Sequence, residues 1–314
     1  MASSESNRVI FAALLGNVLV ALTKFAAAAI TGSSAMASEA VHSLVDTGNE
    51  LLLLHGLRRA AKPADADHPF GHGRELYFWS FIVALAIFAV GAGASVFEGV
   101  RHIRSPVAIK NPAVNYVVLA LALVFEGGSW WVAFKQFRAA KGDIGYLEAV
   151  RKSKDPTPFT VLAEDTGAIL GILIALVGTV AARVLDRPVL DGAASIAIGV
   201  LLALIAIVLA RETKGLLIGE PARSELVSSI CAMASAQPGI ERSNGLFTVH
   251  LGPRQVVAAL SVDFTDTLSA REVEKIIATL EERVRKAHPE VVSVLVKPQK
   301  PEGADFTQAR DQHH

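Results

Sequence analysis

The residues of this chain best suited to chemistry sit in a run that is otherwise apolar, SEAVHSLVDTGNELLLL. Glu39, His42, Asp46 and Glu50 recur there at intervals of three, four and four, which puts all four on one face of an α-helix. A second apolar run, TVLAEDTGAILGILIAL, carries Glu164 and Asp165. Ionisable groups are costly in hydrocarbon and are kept where they face a cavity, a partner or an ion. Two such helices packed together make a cage of carboxylate oxygens and imidazole nitrogen, a donor set for a divalent cation.

The elements that must position these groups read as membrane helices. Of 314 residues, 52% are hydrophobic, and the mean hydropathy of +0.42 exceeds that of an ordinary soluble domain of this length. Six blocks are long enough to span a bilayer, which takes roughly 20 apolar residues. They run Val9–Thr31, Ser38–Leu57, Phe78–Val100, Val114–Phe134, Phe159–Ala182 and Leu190–Ala210. The start, MASSESNR, lacks the features of a cleaved signal, so the first block is expected to stay as a membrane helix. The loop between spans two and three holds Arg58, Arg59, Lys62 and Arg74, and the loop between spans four and five holds Lys135, Arg138, Lys141, Arg151, Lys152 and Lys154. This bias predicts that both loops and both termini face the cytoplasm, with Arg101, Arg104 and Lys110 dissenting. Cys231 stands alone, which excludes an internal disulfide and a multi-cysteine zinc site. No basic patch interleaves with aromatics, as a nucleic-acid binder would require.

Beyond Arg211 the pattern changes. Residues 221–236 read as a helix, 247–251 and 256–264 as strands, 269–288 as an amphipathic helix and 291–296 as a last strand. Val256, Ala258, Leu260, Val262 and Phe264 alternate onto one face. The expected organisation is a six-helix transmembrane domain over 1–212, a small α+β cytoplasmic domain over 213–298 and a polar, disordered tail over 299–314.

In order along the chain, His42-Ser43-Leu44-Val45-Asp46, His68-Pro69-Phe70-Gly71-His72-Gly73-Arg74, Glu98-Gly99 with Pro106, Asp191-Gly192 with Ser195, and Lys214–Glu220 resemble the motifs of the cation diffusion facilitator family. The resemblance runs from residue 8 to about 298 and rests on the ordered set with six spans, since each motif alone is weak. It implies an all-α six-helix transmembrane domain followed by a ferredoxin-like cytoplasmic domain, forming a homodimer. It further implies efflux of Zn²⁺, Mn²⁺, Fe²⁺ or Co²⁺ from the cytoplasm in exchange for protons. The transport site is then expected between spans two and five. This chain departs from the pattern at Val161, four residues before Asp165, where relatives carry His or Asp. It departs again at Ala259 and Val296 or Lys297, where some relatives hold a binuclear zinc site, so the second domain is expected to dimerise rather than to sense metal.

The expected metal ligands are therefore His42, Asp46, Asp165 and Glu164. His42 and Asp46 are one turn apart and can reach one ion. Glu164 is rotated about 100° from Asp165 on an ideal helix, so it serves as a ligand, a proton relay or a partner of Lys24. Glu50, Asn49 or water could complete the shell. One imidazole among carboxylates tilts the choice toward Mn²⁺ or Fe²⁺, although Zn²⁺ accepts nitrogen and oxygen alike. Metal binds the deprotonated forms, so protons and cation compete. No permanent cofactor is expected. Asp65, Asp67, His68 and His72 form either a loop metal site or a solvated turn. Arg74 is expected to pair with Glu75, and Glu98 and Glu126, each followed by glycine, read as packing positions rather than ligands. An intramembrane metalloprotease would need a sequence such as HExxH, which is absent, so no enzyme is expected. A non-transporting membrane scaffold or sensor dimer is the alternative. With no organelle-targeting segment evident, the expected location is a bacterial inner membrane.

Overall fold

The computed structural model describes residues 2–300. It separates into two units. One comprises residues up to Arg58 together with Phe78–Lys214; the other comprises Arg59–Tyr77 and the chain from Gly215 onward.

The first unit is helical. Its elements are α1 (Ala2–Thr31), α2 (Ser34–Ala60), α3 (Arg74–Ala86), a π-helical turn (Ile87–Ala92), α4 (Gly93–Arg104), α5 (Pro112–Lys141), α6 (Tyr146–Lys152), α7 (Pro156–Val184) and α8 (Val189–Ile218). Among the described residues four helices are long and apolar enough to cross a membrane: Arg74–Arg104, Pro112–Ala139, Pro156–Val184 and Val189–Ile218. Six were expected. The described part of α1 contributes a shorter apolar stretch, Gly16–Thr31. The 27 residues of α2 have the length, but its stripe of ionisable groups keeps it below the same hydropathy. Phe97, Val124, Phe125, Trp131, Val177 and Leu204 are exposed, as lipid-facing side chains would be.

Helix boundaries follow local chemistry. Asp155 and Pro156 open α7: Asp155 accepts a hydrogen bond from the Thr157 amide at 3.0 Å, and Pro156 takes the first helical position. Helices α4 and α8 cross at Gly99 and Gly192. A Cβ on Gly99 would lie 2.6 Å from the Gly192 carbonyl oxygen, so the two backbones meet with no room for a side chain.

The start of α2 has an unusual cap. Ser33 Oγ accepts from the Met36 amide at 3.2 Å, an ordinary N-cap. The amides of Ser34 and Ala35 donate to the Asp191 carboxylate of α8 at 2.5 and 3.3 Å, and Ser33 Oγ donates to it at 2.8 Å. Asp191 is fully buried, and His102 Nε2 of α4 lies 4.0 Å from it. One carboxylate therefore satisfies the free amides at the N-terminus of the helix that carries His42 and Asp46. A second tether joins Ser38 to Ser195, whose hydroxyl also donates to the Ser95 carbonyl.

The second unit holds α9 (Ser224–Ser235), β1 (Ile240–Gly252), β2 (Gln255–Phe264), α10 (Ala270–Ala287) and β3 (Val291–Pro298). The sheet order is β1-β2-β3, with β1 antiparallel and β3 parallel to β2. Val256, Ala258, Leu260 and Val262 pack with Ile230, Leu280, Val284 and Val294 in its core, the face expected from alternation. Strand β1 begins seven residues earlier than expected. The polar ERSNG segment pairs along β2 through register shifts near Arg242 and Gly245. A capping box of Ser269 and Glu272 starts α10. The Gln299 amide still donates to Val262 and Lys300 pairs with Asp266; residues 301–314 lie outside the described part. The loop Arg59–Tyr77 belongs to this unit. A Cβ on Gly73 would lie 2.6 Å from the Leu251 carbonyl, so the loop packs directly on the β1–β2 turn.

Candidate metal centre

Within the helical unit a cavity of about 510 Å³ is lined by Asp46 and Glu50 of α2, Glu126 and Ser129 of α5, and Glu164 and Asp165 of α7, with Asn17 and Val20 of α1. Six waters occupy about 180 Å³ at ~30 Å³ each, so the cavity is roomy enough to admit a cation with its hydration shell.

Three of the four expected ligands, Asp46, Glu164 and Asp165, line this one cavity. The fourth, His42, lies beside it, with Nδ1 3.3 Å from Asp46 Oδ1. Its ring faces α7 at Gly167, where a Cβ would come within 3.9 Å of Nε2. Both His42 nitrogens and Asp46 Oδ1 are buried without a hydrogen-bond partner. Buried polar atoms are nearly always paired, so lone pairs left over on one face of α2 mark a place where a ligand would complete them.

Glu164 is not turned away from the site. The cavity is broad enough for adjacent residues of α7 to reach it in two directions: Glu164 accepts from Asn49 Nδ2 at 2.6 Å, toward α2, and Asp165 accepts from Ser129 Oγ at 3.0 Å, toward α5. Lys24 pairs with Glu39, not with Glu164, at 3.1 Å. Glu126 does not serve as a mere packing position, since its side chain lines the cavity. The signal that singled out Asp46, a carboxylate inside an apolar run, was present in LALALVFEGGSWW as well; the glycines after Glu126 obscured it. Glu98 instead pairs with Arg101 at 2.6 Å, within its own helix.

The loop of the second unit builds a separate cluster. Asp65 Oδ1 accepts from the amides of Asp67 and His68 at 3.1 and 2.7 Å, and Asp65 Oδ2 lies 2.9 Å from His72 Nε2. Asp65, His68 and His72 each offer a ligand atom, and the three atoms lie within 4.8 Å of one another. Asp67 stands outside this group, because its backbone amide, not its carboxylate, turns toward Asp65. The His72 bond and the His68 amide hold the Asp65 carboxyl down at about 2. Glu75 pairs with Arg59 at 2.7 Å across the ends of α2 and α3, rather than with its neighbour Arg74. Two residues one apart on a helix point in different directions.

Residues 10–218 match the profile of the cation efflux transmembrane domain. The chain belongs to the cation diffusion facilitator family. It is 32% identical over 267 residues to the human protein named proton-coupled zinc antiporter SLC30A9, mitochondrial, covering 84% of this chain and 47% of that protein. It is 30% identical over 262 residues to metal tolerance protein C4 of Arabidopsis thaliana, covering 83% of this chain and 57% of the relative. It is 23% identical over 291 residues to the cation-efflux pump FieF of Escherichia fergusonii, covering 90% and 89%. The chain thus spans about half the length of the first two relatives. Family and helices together make it a multi-pass integral membrane protein.

Proposed function

We propose that this chain exports divalent metal cations in exchange for protons, with Zn²⁺ the first cation to test and Mn²⁺, Fe²⁺ and Co²⁺ beside it. The observation that carries the reading is the convergence of Asp46, Glu164 and Asp165 on one cavity, with His42 adjacent, its Nδ1 beside Asp46 and its Nε2 without a hydrogen-bond partner. The similarity to a protein named as a proton-coupled zinc antiporter supports zinc. The donor set of one imidazole and three carboxylates suits Zn²⁺ and the harder ions alike.

In this reading α1 and α2 are membrane spans as well, which makes six, and the C-terminal unit is a ferredoxin-like cytoplasmic domain that joins two copies. No cofactor stays bound. The ion enters hydrated, sheds water as His42, Asp46, Glu164 and Asp165 engage it, and displaces their protons. Protonation from the opposite face reverses the exchange. Val161 leaves the first position of the α7 motif without a donor, and Glu164 supplies the oxygen from the position before Asp165. The Asp65, His68 and His72 cluster is a second, peripheral cation site. Both termini face the cytoplasm of a bacterial cell.

The test is Zn²⁺-driven proton flux in proteoliposomes. His42→Ala and Asp46→Ala are expected to abolish it while the protein elutes as wild type. Wild-type flux in the His42→Ala/Asp46→Ala double variant refutes the site. Wild-type protein that moves no cation in any of the four metals favours the scaffold reading.

A further inference from the structure

Lys24 is fully buried in α1, where burying an ammonium is costly. Its Nζ lies 3.1 Å from Glu39 Oε2 and donates to Ser43 Oγ at 2.7 Å. Ser43 follows His42 directly and lines the cavity. Helix α7 makes room for the pair: a Cβ on Gly171 would fall 2.3 Å from Glu39 Oε1. As a staple the pair is poorly built. Glu39 Oε1 is buried with no partner, and an apolar pair of similar volume commonly serves stability as well or better. Besides Glu39, the charged and titratable groups that bear on Lys24 are His42 and Asp46 of α2 and Glu126 of α5.

We propose that Lys24 is an affinity-setting residue of the transport site: a positive charge fixed beside the cavity, whose repulsion loosens the hold on a divalent ion enough to let it leave. The inference rests on the antiport reading above. Five carboxylates line the cavity (Asp46, Glu50, Glu126, Glu164 and Asp165), and when ionised they carry more negative charge than one divalent ion neutralises. Left to themselves they would retain the cation; a tethered ammonium opposes that retention without blocking the path. Glu39 holds the ammonium in place, and the hydroxyl of Ser43 points it at the site.

The experiment is Zn²⁺-driven proton flux by the full chain in proteoliposomes, with apparent KM and kcat resolved, for wild type, Lys24→Arg, Glu39→Gln and the double variant Lys24→Met/Glu39→Gln. The double variant removes the ammonium without orphaning a buried charge. Its KM is expected to fall about tenfold, with kcat falling too as release slows, because in the same field a doubly charged guest has twice the interaction energy of a unit charge. Glu39→Gln leaves the ammonium unbalanced and is expected to raise KM by about as much. Lys24→Arg keeps the charge in a larger, differently shaped head and is expected to shift KM far less than the double variant. A purely structural pair would not shift KM in opposite directions in the two variants. Wild-type KM in folded Glu39→Gln and in the double variant overturns the inference; if the double variant does not fold, Glu39→Gln alone decides. Absence of flux in wild type would strike the antiport reading instead.

Discussion

Asp191→Ala removes one small side chain at the start of α8, yet its effect should be felt in α2. The carboxylate accepts from the Ser34 amide at 2.5 Å, the Ala35 amide at 3.3 Å and Ser33 Oγ at 2.8 Å. Hydrogen bonds to a charged acceptor contribute about 1.5–3 kcal/mol each, and a lost N-cap costs about 1 kcal/mol. The Ala35 bond is long, and removing Asp191 also relieves its own burial. The net cost should therefore come to about 3 kcal/mol rather than the full sum, and the two amides cannot turn to water where Asp191 is fully buried. For a domain of about 200 residues, ~3 kcal/mol lowers Tm by about 6–12 °C. The assay is thermal unfolding in detergent, followed by intrinsic fluorescence and by loss of monodisperse protein. Asp191→Asn keeps one acceptor oxygen and should fall between wild type and alanine. On an ideal helix His42 and Asp46 sit about 12 and 18 Å along the axis from Ser34, so fraying of this end reaches the site within two to three turns. An Asp191→Ala protein that melts within 2 °C of wild type would show that the cross-helix cap carries no load.

Three other outcomes follow. Gly171→Ala should destabilise by about 1–3 kcal/mol, because its Cβ meets a buried carboxylate oxygen, whereas Gly128→Ala meets nothing within 4 Å and should stay within about 0.5 kcal/mol; thermal melts of the two side by side check the contrast. The depressed Asp65 carboxyl stabilises the loop turn above its unfolded value near 4, and that contribution is lost as pH falls through about 2. Amide exchange at Asp67 and His68 should thus keep its protection down to pH ~3; a midpoint near 4 would deny the His72 contact. Titrating Zn²⁺ into the full chain with His68→Ala/His72→Ala should show one class of site fewer than wild type, read by isothermal calorimetry, while proton flux through the helical unit persists; equal stoichiometry would remove the loop from the list of cation sites.

The residues alone placed much of this protein. Period-two alternation from Val256 to Phe264 gave the buried face of β2, and amphipathic spacing over 269–288 gave α10, because both patterns are local and need no partner. The cost of charge in hydrocarbon singled out His42, Asp46, Glu164 and Asp165, and it would have added Glu126 had the following glycines not been weighed against it. Partner choice was another matter. That Lys24 pairs with Glu39, that Asn49 takes Glu164, that Glu75 turns to Arg59, and that Asp191 caps a helix 157 residues away in sequence all depend on which faces of distant helices meet. Spacing fixes the angle of a side chain about its own helix. Only the packing of helix on helix fixes what stands opposite, and in this protein that decides which partner each buried carboxylate meets.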